Sequence, residues 1–387
     1  MDLKRMEAVK AGRQMGLFME HFNNIGKTWE ENFFGARVFN TMDVQNIQQV
    51  SALAFDDYGK PAQNFFKPFL GDGFLSLDGL AWKHSRDLVK PIFSRSEVSD
   101  VDTLGFHVDR FLELIPSDGK TIDIQEPLHN LFLDLATEFL FGQSIEAQLP
   151  EDPNHSKDFL RAFNGALAGV GKRRLAGKLH PLIYAFDKTW KRDIDQVYSY
   201  IDRHIHRALE AEAAGQEEKA DPNPSRTTRR YVLLNELVKH IKDPIKLRYQ
   251  VLNGPAGRVQ RLALRDTVLP HGGGHDGKSA VLVRKGDVVA LNLWGPNHDR
   301  DVWGDDVGEF KPQRFIGRKM GWEFTPFLGG PRICPAQQQV LTQAVYLRVR
   351  LARKFSKIEN RDPVLEYVEM VRMTTESRNG VKIGLFA

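Results

Sequence analysis

The chain has 387 residues, 41% of them hydrophobic and 27% charged, which is a composition typical of a folded globular protein. Fifty-four Lys and Arg stand against fifty Asp and Glu, so the net charge of +4 gives no support for nucleic-acid binding. A single cysteine excludes an internal disulfide and suits a reducing compartment. No segment reaches the roughly 18 apolar residues that span a bilayer, so we expect a soluble or peripheral chain.

The first half of the chain has mainly helical periodicity. A short strand is expected over residues 36–44, and residues 128–141 form an apolar stretch typical of a helix. A further long helix is predicted from apolar residues that recur at steps of three and four. These residues are Trp190, Ile194, Val197, Ile201, Ile205 and Leu209.

Strand character returns after residue 261. The sequence predicts a hairpin of residues 281–283 with 288–293, and a second hairpin that turns at Asn379-Gly380. Between them a helix is expected to begin just after Cys334, with Pro335 as its first residue. Its apolar side is formed by Val340, Ala344, Leu347, Leu351 and Phe355. The predicted fold class is therefore mainly α with small antiparallel β-sheets (α+β).

The single cysteine lies in a loop rich in glycine and proline, FLGGPRICPA over residues 327–336, which leads into this helix. Backbone N–H groups and the helix dipole at such a place stabilise a negative sulfur, which favours a thiolate that binds a metal. Gly330 allows the loop to pass close to a flat ligand, Phe327 can shield the sulfur from water, and Arg332 offers a fork to a carboxylate. The alternative is a buried cysteine without any chemistry.

In this loop the sequence resembles the cytochrome P450 family of haem-thiolate monooxygenases, whose ligand loop reads Phe-x-x-Gly-x-Arg-x-Cys-x-Gly. Four of the five fixed positions match, and Ala336 stands where the family usually has glycine. The resemblance implies a cytochrome P450 fold in which Cys334 is the axial ligand of the iron of haem b.

The likeness continues in residues 71–95, which resemble the segment that enters the helix over one haem face. Trp82 and Arg86 lie one helical turn apart, as in the Trp-x-x-x-Arg pair with which the family reaches a haem propionate. His84 lies on a different face of that helix and is expected at the surface.

Two more arginines match positions that the family uses. Arg261 stands where members of the family often place another propionate arginine. Residues 310–315 resemble the segment whose arginine, here Arg314, buttresses the cysteine loop.

The chain also departs from the family. Where members run from residue 253 into a long central helix with an Ala-Gly-x-Asp/Glu-Thr groove, this chain reads GPAGR and changes to strand character. The family's Glu-x-x-Arg helix is missing as well, since the only such spelling, Glu369 to Arg372, lies in a strand pattern. We therefore expect a single, incomplete cytochrome P450 domain over residues 1–387, with an internal deletion near residues 253–261 and no N-terminal membrane anchor.

Two glycine-rich spellings point to other chemistries. Residues 272–279 (GGGHDGKS) satisfy the Walker A pattern, but a phosphate cradle needs a helix after the loop, and a strand pattern follows. Residues 271–274 (HGGG) spell an esterase oxyanion loop, yet no Gly-x-Ser-x-Gly supplies a nucleophile. We expect an ordinary loop between two strands.

In overall sequence the chain most resembles fungal members of the family that hydroxylate alkanes and fatty acids. The resemblance implies electrons from NADPH through a flavoprotein reductase, and membrane association at the endoplasmic reticulum for the full-length protein. It assigns Cys334 to the iron, and it implies that the haem is bound by Trp82, Arg86, Arg261, Phe327, Gly330 and Arg332. The alternative is a catalytically inactive, truncated relative that binds haem weakly or not at all.

Overall fold

A computed structural model describes residues 2–33, 35–61, 63–93, 101–176, 181, 185–215, 232–252, 259–371 and 375–387. The chain divides into two compact units. The sheet unit comprises Met1–Gln63, Pro255–Cys334 and Val368–Glu376, and the helical unit comprises Asn64–Gly254, Pro335–Tyr367 and Ser377–Ala387.

The elements follow one another along the chain with these bounds. The helices are α1 (Asp2–Ala11), α2 (Gln14–Ile25), α3 (Val44–Gln48), α4 (Gln63–Leu70), α5 (Gly79–Val89), α6 (Val101–Leu114), α7 (Gln125–Phe141), α8 (Ser156–Ala176), α9 (Lys188–Ala213), α10 (Leu233–His240), α11 (Pro244–Val251), α12 (Arg300–Trp303) and α13 (Gln337–Lys354). The strands are β1 (Thr28–Phe33), β2 (Ala36–Thr41), β3 (Tyr58–Gly59), β4 (Asp118–Asp123), β5 (Val259–Ala263), β6 (Thr267–Gly273), β7 (Ser279–Val283), β8 (Val288–Leu291), β9 (Lys357–Asn360), β10 (Glu369–Val371), β11 (Thr375–Ser377) and β12 (Lys382–Phe386).

The sheet unit is built on five strands in the order β1-β2-β8-β5-β3. All neighbours are antiparallel except β2 and β8, which run parallel with Val38 opposite Val288. Strand β8 is buried at every position, because it lies in the middle of the sheet and contributes Val289 and Leu291 to the core. The mainly helical fold with small sheets is confirmed, and the predicted strand over residues 36–44 is confirmed as β2.

Both predicted hairpins are wrong in their pairing. Strand β7 pairs with β6 and not with β8, which joins the five-stranded sheet instead. Strand β12 pairs with β4 and β9 and not with β11, so Asn379-Gly380 is a turn between two different sheets. In each case the strand pairs with strands distant in sequence, where β8 is buried at every position and β12 buries Leu385.

The helical unit has two apolar cores. One is formed mainly by α8, α9, α10 and α11, and it includes the predicted periodic residues of α9. The other lies among α6, α7, α13 and the sheet β4-β12-β9, where Leu385 of β12 is buried. The predicted helices over residues 128–141 and 190–209 are thus confirmed as parts of α7 and α9.

Helix α13 buries only one of its two apolar sides. Leu347 is buried and Leu351 packs against the same core, whereas Val340, on the same predicted side but in the first turn of the helix, is exposed. The other side carries large apolar residues that are 43–57% exposed. This open stripe consists of Leu341, Val345 and Val349. Exposed apolar residues in a continuous row indicate a surface that another segment covers.

Within the described part of the chain, no helix is both long and apolar enough to cross a membrane.

We predict that Val345→Lys lowers the binding of a hydrophobic dye and the aggregation of the protein, because it interrupts the open stripe. Stability should change by less than about 0.5 kcal/mol, since the side chain at this position is in water. The matched control is Leu347→Lys on the same helix, which buries a charge and should cost about 2–5 kcal/mol in thermal unfolding. Equal losses of stability in the two variants would contradict the open stripe.

Candidate active site around Cys334

Two backbone hydrogen bonds close the loop that presents the cysteine. The N–H of Cys334 donates to the carbonyl of Phe327 at 3.0 Å, and the N–H of Ile333 donates to the carbonyl of Gly330 at 3.0 Å. Cys334 and Phe327 are both partly exposed. Phe327 stands at the start of the loop, where its carbonyl accepts the bond that closes it. Its shielding of the sulfur from water stays a prediction.

The helix after the cysteine begins later than predicted. Helix α13 starts at Gln337 with Ala336 as its N-cap, so Pro335 precedes the helix and is not its first residue. The N–H of Cys334 is already bonded to Phe327, so this amide does not point at a free anion site. The loop itself, and not the first helical turn, therefore fixes the backbone at the cysteine.

Gly330 is required by its conformation and by its neighbour. Its φ is +71°, and a Cβ built on it would lie 2.0 Å from the carbonyl oxygen of Ser51. Leu328, a non-glycine residue, also has a left-handed φ of +63° and packs against the core of the sheet unit. The expectation that Gly330 makes room for a flat ligand stays a prediction, because the protein's own backbone occupies the space next to its Cα.

Two of the predicted propionate arginines belong to the same unit as Cys334. Arg332 is half-buried, with its guanidinium carbon 5.9 Å from the centre of the Phe55 ring. Arg261 is buried in β5 opposite Val289, and its Nη1 donates to the carbonyl of Gln260 at 3.1 Å. Both positive charges are thus held on well-packed backbone within the sheet unit.

Arg314 ties down the chain segment ahead of the cysteine loop. Its guanidinium donates to the carbonyls of Trp303 at 2.8 Å and Asp306 at 2.6 Å, and it pairs with the Asp306 carboxylate. Hydrogen bonds from Arg314 and Lys311 lower the pKa of Asp306 to about 2. Trp303 in turn packs edge-on against Phe324, three residues before the loop. This agrees with a buttressing role for Arg314, which stays a prediction.

The Glu-x-x-Arg spelling at Glu369 lies in a strand, as predicted, since β10 begins at that residue. Glu369 is buried and its carboxylate accepts the N–H of Met15 at 2.6 Å. Arg372 lies outside the described residues.

In the helical unit, Trp82 and Arg86 lie on α5 with the predicted separation of one turn. Trp82 is buried and Arg86 is partly exposed, whereas His84 is exposed, which confirms its assignment to the surface. Between the pair, the hydroxyl of the buried Ser85 donates to Oε1 of the buried Gln250 at 2.6 Å. Sequence reasoning missed this bond because no local pattern links residues so far apart in the chain.

The glycine-rich stretch over residues 271–279 lies in the hairpin β6-β7: residues 271–273 end β6, residues 274–278 form the predicted loop between the strands, and Ser279 begins β7. The carboxylate of Asp43 pairs with His271 Nδ1 at 3.0 Å, and the Asn46 side chain bonds both the N–H and the carbonyl of His271. A strand follows the glycines where a phosphate cradle would need a helix.

The comparisons with known proteins show the family of this chain. The model of the cytochrome P450 family matches residues 247–339. The cytochrome P450 monooxygenase iccC of Talaromyces variabilis is 32% identical over 99% of this chain and 88% of its own length. Cytochrome P450 52A10 of Candida maltosa is 32% identical over 92% of this chain and 83% of its own length. The chain therefore belongs to the cytochrome P450 family.

Membership defines the class of chemistry. Proteins of this family are oxidoreductases of the monooxygenase type, and they act on small molecules. Their cofactor is haem b, and a reductase supplies electrons from NADPH. The residues of this chain fit such a group, because the sheet unit combines one partly exposed cysteine, whose sulfur suits iron, with the cations Arg261 and Arg332, which suit carboxylates.

The alignment lengths show how many positions of the relatives have no counterpart in this chain. The alignment with iccC extends over 453 positions, whereas this chain has 387 residues, so at least 66 positions (453 less 387) have no counterpart here. For the cytochrome P450 monooxygenase iliC of Hypocrea jecorina, aligned over 457 positions and all of both chains, the number is 70 (457 less 387).

We predict that Gly330→Ala lowers the stability of the protein by about 1–3 kcal/mol, because it strains a left-handed backbone and pushes against Ser51. Gly308→Ala is the matched control, since a Cβ there meets no atom within 4 Å. Unfolding in denaturant measures both variants, and equal midpoints would contradict the assigned role of Gly330.

We also predict that Ser85→Ala costs about 1–3 kcal/mol, because it leaves the buried Oε1 of Gln250 without its donor. The matched control is Ser199→Ala on the exposed side of α9, which removes a hydroxyl that is exposed to water. Its free energy of unfolding should change by less than about 0.5 kcal/mol. Thermal unfolding compares the two, and a neutral Ser85→Ala would show that the bond does not hold α5.

Proposed function

We propose that this chain represents a haem-thiolate monooxygenase whose iron ligand is Cys334. The observation that carries the proposal is the hydrogen-bonded loop that holds the partly exposed Cys334 in the same unit as Arg261 and Arg332. Haem b, when bound, supplies the chemistry that inserts an oxygen atom from O2 into a C–H bond.

The residues of the chain have distinct tasks in this proposal. Cys334 provides a thiolate, and Phe327 and Gly330 shape the loop that excludes water from the sulfur. Arg332 and Arg261 bind propionate carboxylates from the sheet unit, and they do so as permanent cations. Trp82 and Arg86 bind propionates from α5 of the helical unit. We infer that both units belong to one cytochrome P450 domain.

The proposed substrates are long alkyl chains, as in alkanes and fatty acids. The overall likeness to fungal hydroxylases of such compounds supports this class, and it is consistent with the similarity to cytochrome P450 52A10. In the proposed reaction one oxygen atom of O2 becomes the hydroxyl of the product and the other leaves as water. The electrons come from NADPH through a flavoprotein reductase, and the protons come from solvent. We further propose that the full-length protein works at the membrane of the endoplasmic reticulum.

We infer that the chain lacks an internal segment directly after Arg258. Ala256-Gly257-Arg258 spells the first positions of the family's Ala-Gly-x-Asp/Glu-Thr groove, after which Val259 and Gln260 stand in place of the acid and the threonine. Strand β5 begins at Val259, so no helix continues there. At least 66 positions of the alignment with iccC have no counterpart in this chain, which supports a missing segment. The open stripe on α13 supports a segment that would cover it.

The second candidate is the catalytically inactive relative. It is favoured by the loss of the groove acid and threonine, because proton delivery to bound oxygen needs such groups. In this state the chain keeps the cysteine loop but has no means to deliver protons.

We predict that the haem-free chain, titrated with haem, gives a thiolate-type spectrum, and that Cys334→Ser abolishes this signature. The substitution replaces the sulfur by a hydroxyl of similar size, so the fold should be retained and circular dichroism serves as its control. A haem-bound unmodified chain without thiolate features in its spectrum would contradict the assignment, since the chain has no other cysteine.

With a flavoprotein reductase and NADPH, we expect no hydroxylation of dodecane or lauric acid by the chain as it stands. A version that carries the groove segment of a relative between Arg258 and Val259 should form product. Product from the unmodified chain would overturn the inferred loss of competence, and Cys334→Ser in the restored version controls for activity that does not depend on the thiolate.

A further inference from the structure

The cysteine loop rests on an unusual helical turn. Residues Gln49–Leu53 form a π-helical turn that continues α3, and the N–H of Ala54 donates to the carbonyl of Gln49 at 2.8 Å. The carbonyl of Ser51 in this turn fills the space where Gly330 would carry a side chain. Val50 is fully buried in the core that Leu328 of the loop joins. The position of the loop therefore depends on the position of the turn.

A π-helical turn is less favourable than a regular helical turn, and proteins keep one only where the surroundings hold it. The hydroxyl of Ser51 is buried and has no hydrogen-bond partner in the described ranges. A buried hydroxyl without a partner costs free energy, so the turn is held by contacts elsewhere.

Several of these contacts converge on Asn46, which is fully buried in the middle of α3, one helical turn before the π-helical turn. Its Nδ2 donates to the carbonyl of His271 at 2.8 Å and to Oγ1 of Thr28 at 2.8 Å. Its Oδ1 accepts the N–H of His271 at 3.0 Å. The side chain thus fastens α3 to the two strands β1 and β6 at once.

Asp43 completes the attachment from the other end of α3. One carboxylate oxygen caps the helix by accepting the N–H groups of Gln45 at 2.9 Å and Asn46 at 3.0 Å. The other oxygen bonds His271 Nδ1 at 3.0 Å. Helix α3 therefore has little freedom to rotate or slide, and the turn that follows it inherits this restriction.

We propose that Asn46 is a positioning residue for the thiolate: it fixes the π-helical turn, the turn fixes Gly330, and Gly330 sets the loop that presents Cys334. The role rests on the proposed function of Cys334 as the iron ligand, but the positioning itself acts on the haem-free chain. It is therefore tested without haem and without activity.

The experiment compares Asn46→Leu with Asn40→Leu in the haem-free protein. Both asparagines are buried in the sheet unit, and Asn40 donates to Glu31 at 2.9 Å, away from the turn. Hydrogen exchange of the Ile333 and Cys334 amides should rise about tenfold more in Asn46→Leu than in Asn40→Leu, at matched distance from the unfolding midpoint. Alkylation of the single cysteine at fixed pH should show the same order. Equal rates in the two variants would overturn the proposal.

A measurement on the unmodified protein decides the matter even if Asn46→Leu fails to fold. With rising denaturant, the amides of His271 and Cys334 should open in one cooperative step, because Asn46 links them. Opening of Cys334 at clearly lower denaturant than His271 would overturn the proposal. A chain that passes this test but never binds haem would refute the proposed function alone.

Discussion

The site depends on one contact between two backbones, Gly330 against the carbonyl of Ser51. No side chain fits between them, so the loop can only lie where the turn allows it. The contact joins parts of the chain that are almost 280 residues apart in sequence (330 less 51), and it forms only when the sheet unit has folded. The geometry of the cysteine is thus a property of the whole unit and not of the loop motif alone.

Two functions that a haem-thiolate enzyme combines are separated in this chain. The loop that carries Cys334, the proposed thiolate, is closed by hydrogen bonds and a packed glycine within the sheet unit. In the proposed account the groups that would carry protons to oxygen are missing, since Val259 and Gln260 follow Arg258 where the family has an acid and a threonine. The open stripe on α13 leaves apolar surface in water that packing would remove.

Local patterns predicted what depends on local physics. The helical periodicity of α7 and α9, the spacing of Trp82 and Arg86, and the positions in the cysteine loop were all readable in the sequence. The partners of the strands could not be predicted, since β8 and β12 pair with strands that are distant in sequence. The start of α13 was misplaced because proline is equally compatible with the turn before a helix. The role of Gly330 against Ser51, and the link from Ser85 to Gln250, required the tertiary structure.

The most direct test of the central claim is the sequence of the source transcript across the codons for Arg258 and Val259. If the chain descends from a complete monooxygenase, the transcript should carry at this junction an additional in-frame segment that supplies much of the 66 or more positions that lack a counterpart in this chain. That segment should continue the Ala-Gly-x motif with an acid and a threonine and should contain a Glu-x-x-Arg. A transcript in which the codon for Arg258 is followed directly by that for Val259 would contradict the claim and establish the inactive relative.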